Sequence, residues 1–362
     1  MIARRTSTWS LLLLCSLILA ACGGGNPAGE GEAETGCGAA GEGEISVGIA
    51  YDVGGIGDQS FNDAANRGLQ DAIDDGLVDE NNTSTLEADA TGSDRDENVT
   101  NLADQGCDLV VAVGFAFSEA IKVEGAEGIA DQYPDVKFAV VDGFAAEADN
   151  VTNLGFKEEE GSFLVGAAAG LKTETDTIGF LGGQRGTGLI EKFEAGYVAG
   201  AQEVNPKVEV LVEYIGDTTA AFNDPTKGEA LSAKLYDDGA DIVYHAAGES
   251  GLGLFDAAVE ADQLAIGVDS DQSLTASPEQ QELILTSMLK RVDTAVYDTI
   301  KEVSEGDFTT GFQVFGLKEE GVDYAVNEFN DNEELLSADI QGQLEEFKQA
   351  IIAGEIKVPV EP

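Results

Sequence analysis

Residues 45–62 read ISVGIAYDVGGIGDQSFN. The first six alternate and are rich in β-branched side chains, which predicts a strand, while Phe61, Ala65, Leu69 and Ile73 recur at helical spacing. Residues 51–62 therefore join a strand to a helix at the strand's carboxyl end, where open α/β sheets bind ligands.

Outward from this unit the pattern repeats. Strands are expected at 83–88, 109–113, 137–141, 177–181, 208–214, 242–245, 264–268 and 284–289. Helical patterns fall at 94–105, 118–132, 158–171, 189–204, 225–238, 253–261, 292–305 and 333–353. Alternation of this kind builds parallel sheets covered by helices on both faces, either as a closed (β/α)8 barrel or as open, doubly wound lobes. Three breaks in the rhythm favour two hinged lobes. They are the extended piece 151–156, the turn-rich 270–278, and a second extended piece at 311–317. The expected fold class is α/β, two doubly wound parallel-sheet lobes joined by three crossings. The N-terminal lobe is expected from 45–153 plus about 286–312, and the C-terminal lobe from 154–285 plus about 313–362.

Residues 1–21 read as a secretory leader. Arg4 and Arg5 precede the short apolar run 11–20, which is too short to span a bilayer. Leu19-Ala20-Ala21-Cys22 resembles a lipobox, which would make Cys22 the lipidated first residue of the mature chain; an ordinary signal peptide with a chance cysteine is the alternative. Residues 22–44 hold many Gly, Glu and Ala and read as a flexible, acidic spacer. Cys37 and Cys107 remain in the mature chain, each just before a strand, and two readings stay open: a disulfide or free buried thiols.

A glycine-rich strand-to-helix loop first points to phosphate, but the pattern here is G-G-x-G-D, and Asp58 puts a carboxylate where the anion would sit. Asp58 or Ser60 is expected to cap the helix. Asp52 and Asp142 each end a strand and present either a ligand-facing acceptor or a turn cap. Phe61, Phe115, Phe117 and Phe222 lie on the same kind of rim, as core or as a stacking platform for a flat ligand. Asp269 ends a later strand and Lys290 the next, either as a grip on vicinal hydroxyls or as an ordinary ion pair. Gly248, Gly251 and Gly253 permit close backbone approach. The single histidine, His245, has no adjacent nucleophile motif and reads as a packed side chain. No G-x-S-x-G elbow, metal triad or zinc spacing is present.

Taken in order, D-x-G-G-x-x-D-x-S-F-N (52–62), E-G-S-F-L-V-G (160–166), K-F-E-A-G-Y (192–197), F-N-D-P-x-K-G (222–228), A-A-G (246–248), G-V-D-S-D-Q (267–272) and T-S-M-L-K-R (286–291) resemble the basic membrane protein family, similar to the purine nucleoside receptor A type. That resemblance implies a type I periplasmic-binding fold and a lipid-anchored, extracytoplasmic component of an ABC importer. It would work without catalysis or cofactor as a monomer, deliver a nucleoside to permease subunits backed by an ATPase, and bind no nucleic acid. It further implies Asp52 and Asp142 toward the base, Phe61 and Phe222 stacked on it, and Asp269 and Lys290 on the ribose hydroxyls, with Ser60, Phe115 and Gly248 as further contacts. One departure is A-A-G-E-S-G at 246–251, where the family usually has A-A-G-G-T-G; Glu249 would stand beside the ribose. A receptor for another riboside or sugar, a tethered sensor, and a Rossmann-type enzyme are the alternatives.

The formal net charge is −50, a surface that repels nucleic acid and anionic headgroups and resembles that of proteins from salty environments. Salt screens such self-repulsion. The melting temperature is therefore expected to rise between low and molar salt, and a flat or falling trend in calorimetry would reject a halophilic adaptation.

Overall fold

A computed structural model describes residues 36–41 and 43–362. The leader, Cys22 and most of the spacer lie outside the described residues. The chain begins with β1 (Val47–Tyr51), α1 (Phe61–Asp74), β2 (Thr83–Glu87), α2 (Arg95–Asp104), β3 (Leu109–Val113), α3 (Ser118–Ile121), α4 (Ile129–Gln132), β4 (Lys137–Val141) and β5 (Val151–Phe156). It continues through α5 (Glu158–Lys172), β6 (Thr177–Gln184), α6 (Ile190–Val204), β7 (Glu209–Gly216), α7 (Pro225–Asp237), β8 (Ile242–Ala246), α8 (Leu252–Ala261), β9 (Leu264–Asp269), α9 (Pro278–Gln281) and β10 (Ile284–Lys290). It closes with α10 (Val292–Glu305), β11 (Gly311–Phe315), β12 (Val322–Tyr324) and α11 (Ala338–Ile352).

Among the described residues the strands form two six-stranded sheets, ordered β11-β5-β4-β3-β1-β2 and β12-β10-β9-β8-β6-β7. All pairings are parallel except that of β10 with β12. In each sheet the order reverses beside the first strand, between β1 and β3 and between β6 and β8. Such switch points open a crevice at the carboxyl ends of the strands. Both faces are covered: Val47, Ile49 and Val111 pack into one core of the first lobe and Ala50, Val110 and Ala112 into another. Each of these buried valines and isoleucines contributes roughly 1.5–3 kcal/mol.

The chain crosses between sheets after β5, after β10 and after β11, which gives the three crossings expected. Their positions differ from the sequence reading. Residues 270–278 are not a crossing, because β9 and β10 are parallel neighbours in the second sheet. The segment 286–290 therefore belongs to the second lobe, and only α10 and β11 return to the first. Residues 154–156 complete β5, and 313–315 complete β11. The misreading has a simple cause: β-strand signal is local, whereas sheet membership is decided by pairing over long sequence separations. The helix expected at 118–132 is two short helices, broken at residues 122–128, where Gly125 has φ 75° and the Asp131 carboxylate accepts the Gly128 N–H at 2.8 Å.

The spacer ends earlier than expected. Gly36 N–H donates to the Asn81 carbonyl at 2.7 Å, and Cys37 is buried and bonded to Cys107, with Cα atoms 4.7 Å apart. Gly48 in β1 makes room for this bond, since a Cβ there would sit 2.8 Å from Cys107 Sγ. The bridge closes a long loop across a sequence separation of 70. Cys37→Ser is expected to cost about 2–4 kcal/mol of stability. Urea unfolding of the variant and of the reduced wild type checks it; midpoints equal to that of the oxidised wild type would show that the bridge contributes nothing.

Candidate functional site

The glycine loop after β1 is held by its own carboxylate. Asp58 is buried and accepts backbone N–H groups from Ser60 (2.8 Å), Asn62 (2.8 Å) and Asp63 (3.1 Å), which are donors otherwise orphaned at the start of α1. Burial pushes its carboxyl up to about 6 against those donors. Its role is structural, and the loop's glycines, Gly54, Gly55 and Gly57, all have positive φ.

A cavity of about 610 Å³, counting its mouth, lies between the carboxyl ends of the two sheets. Of the residues singled out in the sequence, Asp52, Phe61, Phe115 and Asp142 line it from the first lobe, and Phe222, Gly248, Asp269 and Lys290 from the second. Ser60 lies behind the wall, where its hydroxyl donates to Asp269 Oδ2 across the lobes. Phe193, Leu189, Ile190 and Asn62 also line it, and sequence reasoning missed them as site residues. Phe193 stood in the K-F-E-A-G-Y motif; Leu189 and Ile190 carried no polar signal. Phe117 is fully buried in the core of the first lobe. Glu249 is half-buried on the turn after β8, and its Cβ lies 3.7 Å from where a Cβ on Gly54 would be, so the two lobes' loops meet there. His245 is buried, its Nε2 2.8 Å from Gln272 Oε1, and burial lowers it to about 4, which makes it a packed neutral side chain.

The ionic pairing differs from expectation. Lys290 does not pair with Asp269. Its Nζ donates to Asp142 Oδ2 at 2.7 Å and stands 3.2 Å from Glu158 Oε1. Glu158 opens α5 and is fully buried, and its other oxygen accepts from Lys192 at 3.1 Å. The rings of Phe61, Phe156 and Phe193 lie 5.2, 5.1 and 5.4 Å from the ammonium, within cation–π range. Burial disfavours the charge on Lys290, but the carboxylates of Asp142, Glu158 and Asp269 outweigh it and hold the group protonated. Burial pushes Asp142 up to about 6 even with Lys290 beside it. Asp142 and Asp269 both hold left-handed backbone, φ 57° and 63°, a sparsely occupied region at the two strand ends that line the cavity. Asp52 is likewise not free: Arg95, unremarked in the sequence, bonds its Oδ1 at 2.6 Å.

The chain matches the family described as ABC transporter substrate-binding protein PnrA-like over residues 45–361. It belongs to this family. A relative from Listeria monocytogenes, named CD4+ T-cell-stimulating antigen, is 36% identical over 337 residues, covering 88% of this chain and 89% of that protein. The ABC transporter nucleoside-binding protein BmpA of Lactococcus lactis is 32% identical over 330 residues, covering 87% and 89%. A crystal structure of an ABC transporter system solute-binding protein from Aeropyrum pernix K1 superposes with a TM-score of 0.73 at 31% identity, covering 87% of this chain and 94% of that one. The PnrA-like chain thus has the type I periplasmic-binding fold that its sequence implied. Among its described residues, no helix is long and apolar enough to cross a membrane.

Replacing Lys290 by Met strands Asp142, Glu158 and Asp269 beside an apolar side chain. Loss of one partner from a buried ion pair costs about 3–5 kcal/mol. A carboxylate whose folded pKa exceeds its unfolded one binds more protons when folded, so stability falls as pH rises through that window, here from about 3.8 to about 6. Without the ammonium the window extends upward. The deficit of Lys290→Met in urea unfolding should therefore be larger at neutral pH than near pH 5; a deficit independent of pH, or none, would show that the ammonium does not hold the Asp142 carboxylate charged.

Proposed function

We propose that this chain is the lipid-anchored substrate-binding component of an ABC importer, that it captures a purine nucleoside between its lobes, and that it delivers it to permease subunits. The observation that carries this reading is the composition of the cavity. Phe61 and Phe115 on one side and Phe193 and Phe222 on the other supply aromatic surface, while Asp52, Asp142 and Asp269 supply carboxylates that accept from N–H and O–H donors and Lys290 supplies an ammonium that donates. A plain sugar would make little use of so much aromatic lining drawn from both lobes. A phosphorylated ligand would meet carboxylates on both walls. The relative named as nucleoside-binding supports the same ligand class.

Capture needs the two lobes to close, because the lining is shared between them. Closure would exclude water and strengthen each polar contact in the cavity. Anchoring would follow from lipid on Cys22, which leaves the binding body on the extracytoplasmic face, tethered by the acidic spacer. The capture mechanism requires no catalytic group, and none of the cavity carboxylates is assigned a chemical step.

Mass spectrometry of small molecules released from the purified, heat-denatured protein should show a nucleoside. In calorimetry, Phe222→Ala or Asp269→Ala should weaken binding of that nucleoside at least tenfold, about 1.4 kcal/mol, with the fold retained. Affinities equal to wild type would reject these two residues as contacts, and failure of every nucleoside to bind the wild type would reject the reading itself.

A further inference from the structure

Arg95 is the first residue of α2 and is buried, an unusual position for an arginine outside any motif. Its Nε donates to Asp52 Oδ1 at 2.6 Å, its Nη2 touches the same oxygen, and its Nη1 donates to the Gly92 carbonyl at 3.0 Å. The loop before α2 is shaped around it. Gly92 has φ 66°, any Cβ there would collide with the guanidinium, and the Asp89 carboxylate fixes the loop by accepting from the Thr91 and Ser93 N–H groups. The guanidinium carbon also lies 5.9 Å from the Phe117 ring centroid.

The consequence falls on Asp52. Its Oδ1 takes the Val53 N–H at 2.7 Å as well as the guanidinium, so that oxygen is fully used inside the protein. Its Oδ2 receives no hydrogen bond from the described residues and lies beside Gly114, where a Cβ would press on it; Gly114 and Asp52 both line the cavity. We propose that Arg95 is the positioning residue of this site: it fixes Asp52 so that one carboxylate oxygen, Oδ2, faces the cavity as an obligate acceptor for an N–H on the ligand. The identity of the ligand rests on the nucleoside reading; the role of Arg95 does not. An ionised carboxylate only accepts. The site then favours a base edge that offers an amino group or ring N–H there and disfavours one that offers only acceptors.

Charge on Asp52 is what Arg95 secures. Burial holds its carboxyl above the ordinary value, and the guanidinium offsets part of that rise. The other charged groups near it cannot substitute. Glu87, at the end of β2, closes on Gly55 of the same loop and is acidic, as are Asp58, Asp142 and Asp269 around the cavity, while the Lys290 ammonium is committed to Asp142.

The test compares wild type, Arg95→Gln, Arg95→Lys and Asp52→Asn, each checked for folding by thermal melts. Calorimetry with adenosine, guanosine and inosine is run near pH 6 and near pH 7.5, below the range in which the N1–H of inosine and guanosine ionises. Wild type sets the baseline at each pH, since Asp142 in the same cavity is itself pushed up to about 6. Relative to wild type at the same pH, Arg95→Gln should lose about tenfold or more at the lower pH and less at the higher, because its Asp52 takes up a proton; Arg95→Lys should follow the wild-type pH dependence, and adding Arg95→Gln to Asp52→Asn should cost nothing further. A loss in Arg95→Gln that is the same at both pH values, or is additive with Asp52→Asn, makes Arg95 merely structural and overturns the proposal. Independently of any ligand, the carboxyl carbon signal of Asp52, assigned as the one missing in Asp52→Asn, should titrate at least about one pH unit higher in Arg95→Gln. An unmoved midpoint overturns the proposal; a raised midpoint in a protein whose wild type binds no nucleoside upholds it and rejects the nucleoside reading alone.

Discussion

Lys290 carries its charge where only 2% of the residue is exposed, and the groups that make this tolerable come from separate parts of the chain. Asp142 follows β4 in the first lobe, Glu158 opens α5 just past the first crossing, and Lys290 itself ends β10 just before the second. A buried charge is stable only while its partners are in place. Separation of the lobes removes Asp142 from the ammonium, whereas Glu158 is carried on the helix that follows the crossing. The same ion pair therefore belongs to the wall of the cavity and to the junction of the lobes, which ties the shape of one to the position of the other.

Packing fixes the frame in which that pair sits. α5 and α6 approach until a Cβ on Gly200 would collide with the Phe163 carbonyl, and one on Gly196 with that of Glu159. This contact sets Glu158 and Lys192 at ion-pair distance, 3.1 Å, although they lie on different helices. A second set of cross-lobe bonds lies beside the cavity: Ser60 donates to Asp269, Ser270 donates to the Ser60 carbonyl at 3.2 Å, and Arg67 donates to Ser270 at 2.8 Å. Arg67 projects from α1 and Ser270 from the turn after β9, so the helix that follows the glycine loop is bonded directly to the opposite lobe.

What the sequence made legible follows from the range of the forces involved. Strand and helix identity is local, and β3, β4 and α10 have the bounds that periodicity alone assigned. Residues at strand ends were also readable, because a polar residue that terminates an apolar run has few places to go; this found Asp52, Asp142, Asp269 and Lys290. Pairing among them was not readable. Lys290 ends a strand adjacent to that of Asp269, yet its partner is Asp142, 148 residues away, because the crevice brings the two sheets' ends face to face. Arg95 stood in a polar run, Gly92-Ser93-Asp94-Arg95-Asp96, that looks solvated; only the fold shows that its guanidinium turns inward. Glu158 was hidden similarly as one of three consecutive glutamates, of which it alone is wholly enclosed.

The glycine loop after β1 illustrates how a familiar local shape can serve an opposite chemistry. A strand, a run of positive-φ glycines and a helix N-terminus make an anion site when the helix donors are free. Here three of those donors are committed to Asp58, whose negative charge also occupies the space an anion would need. The favourable end of the helix dipole is thus spent on the protein's own carboxylate. What the loop retains is the close backbone approach that glycines allow, next to an acceptor on Asp52 and the ring of Phe61. On the proposed reading, those are the means of recognising an uncharged, flat molecule that carries hydrogen-bond donors, in a chain whose overall charge of −50 already disfavours anions before they reach the cleft.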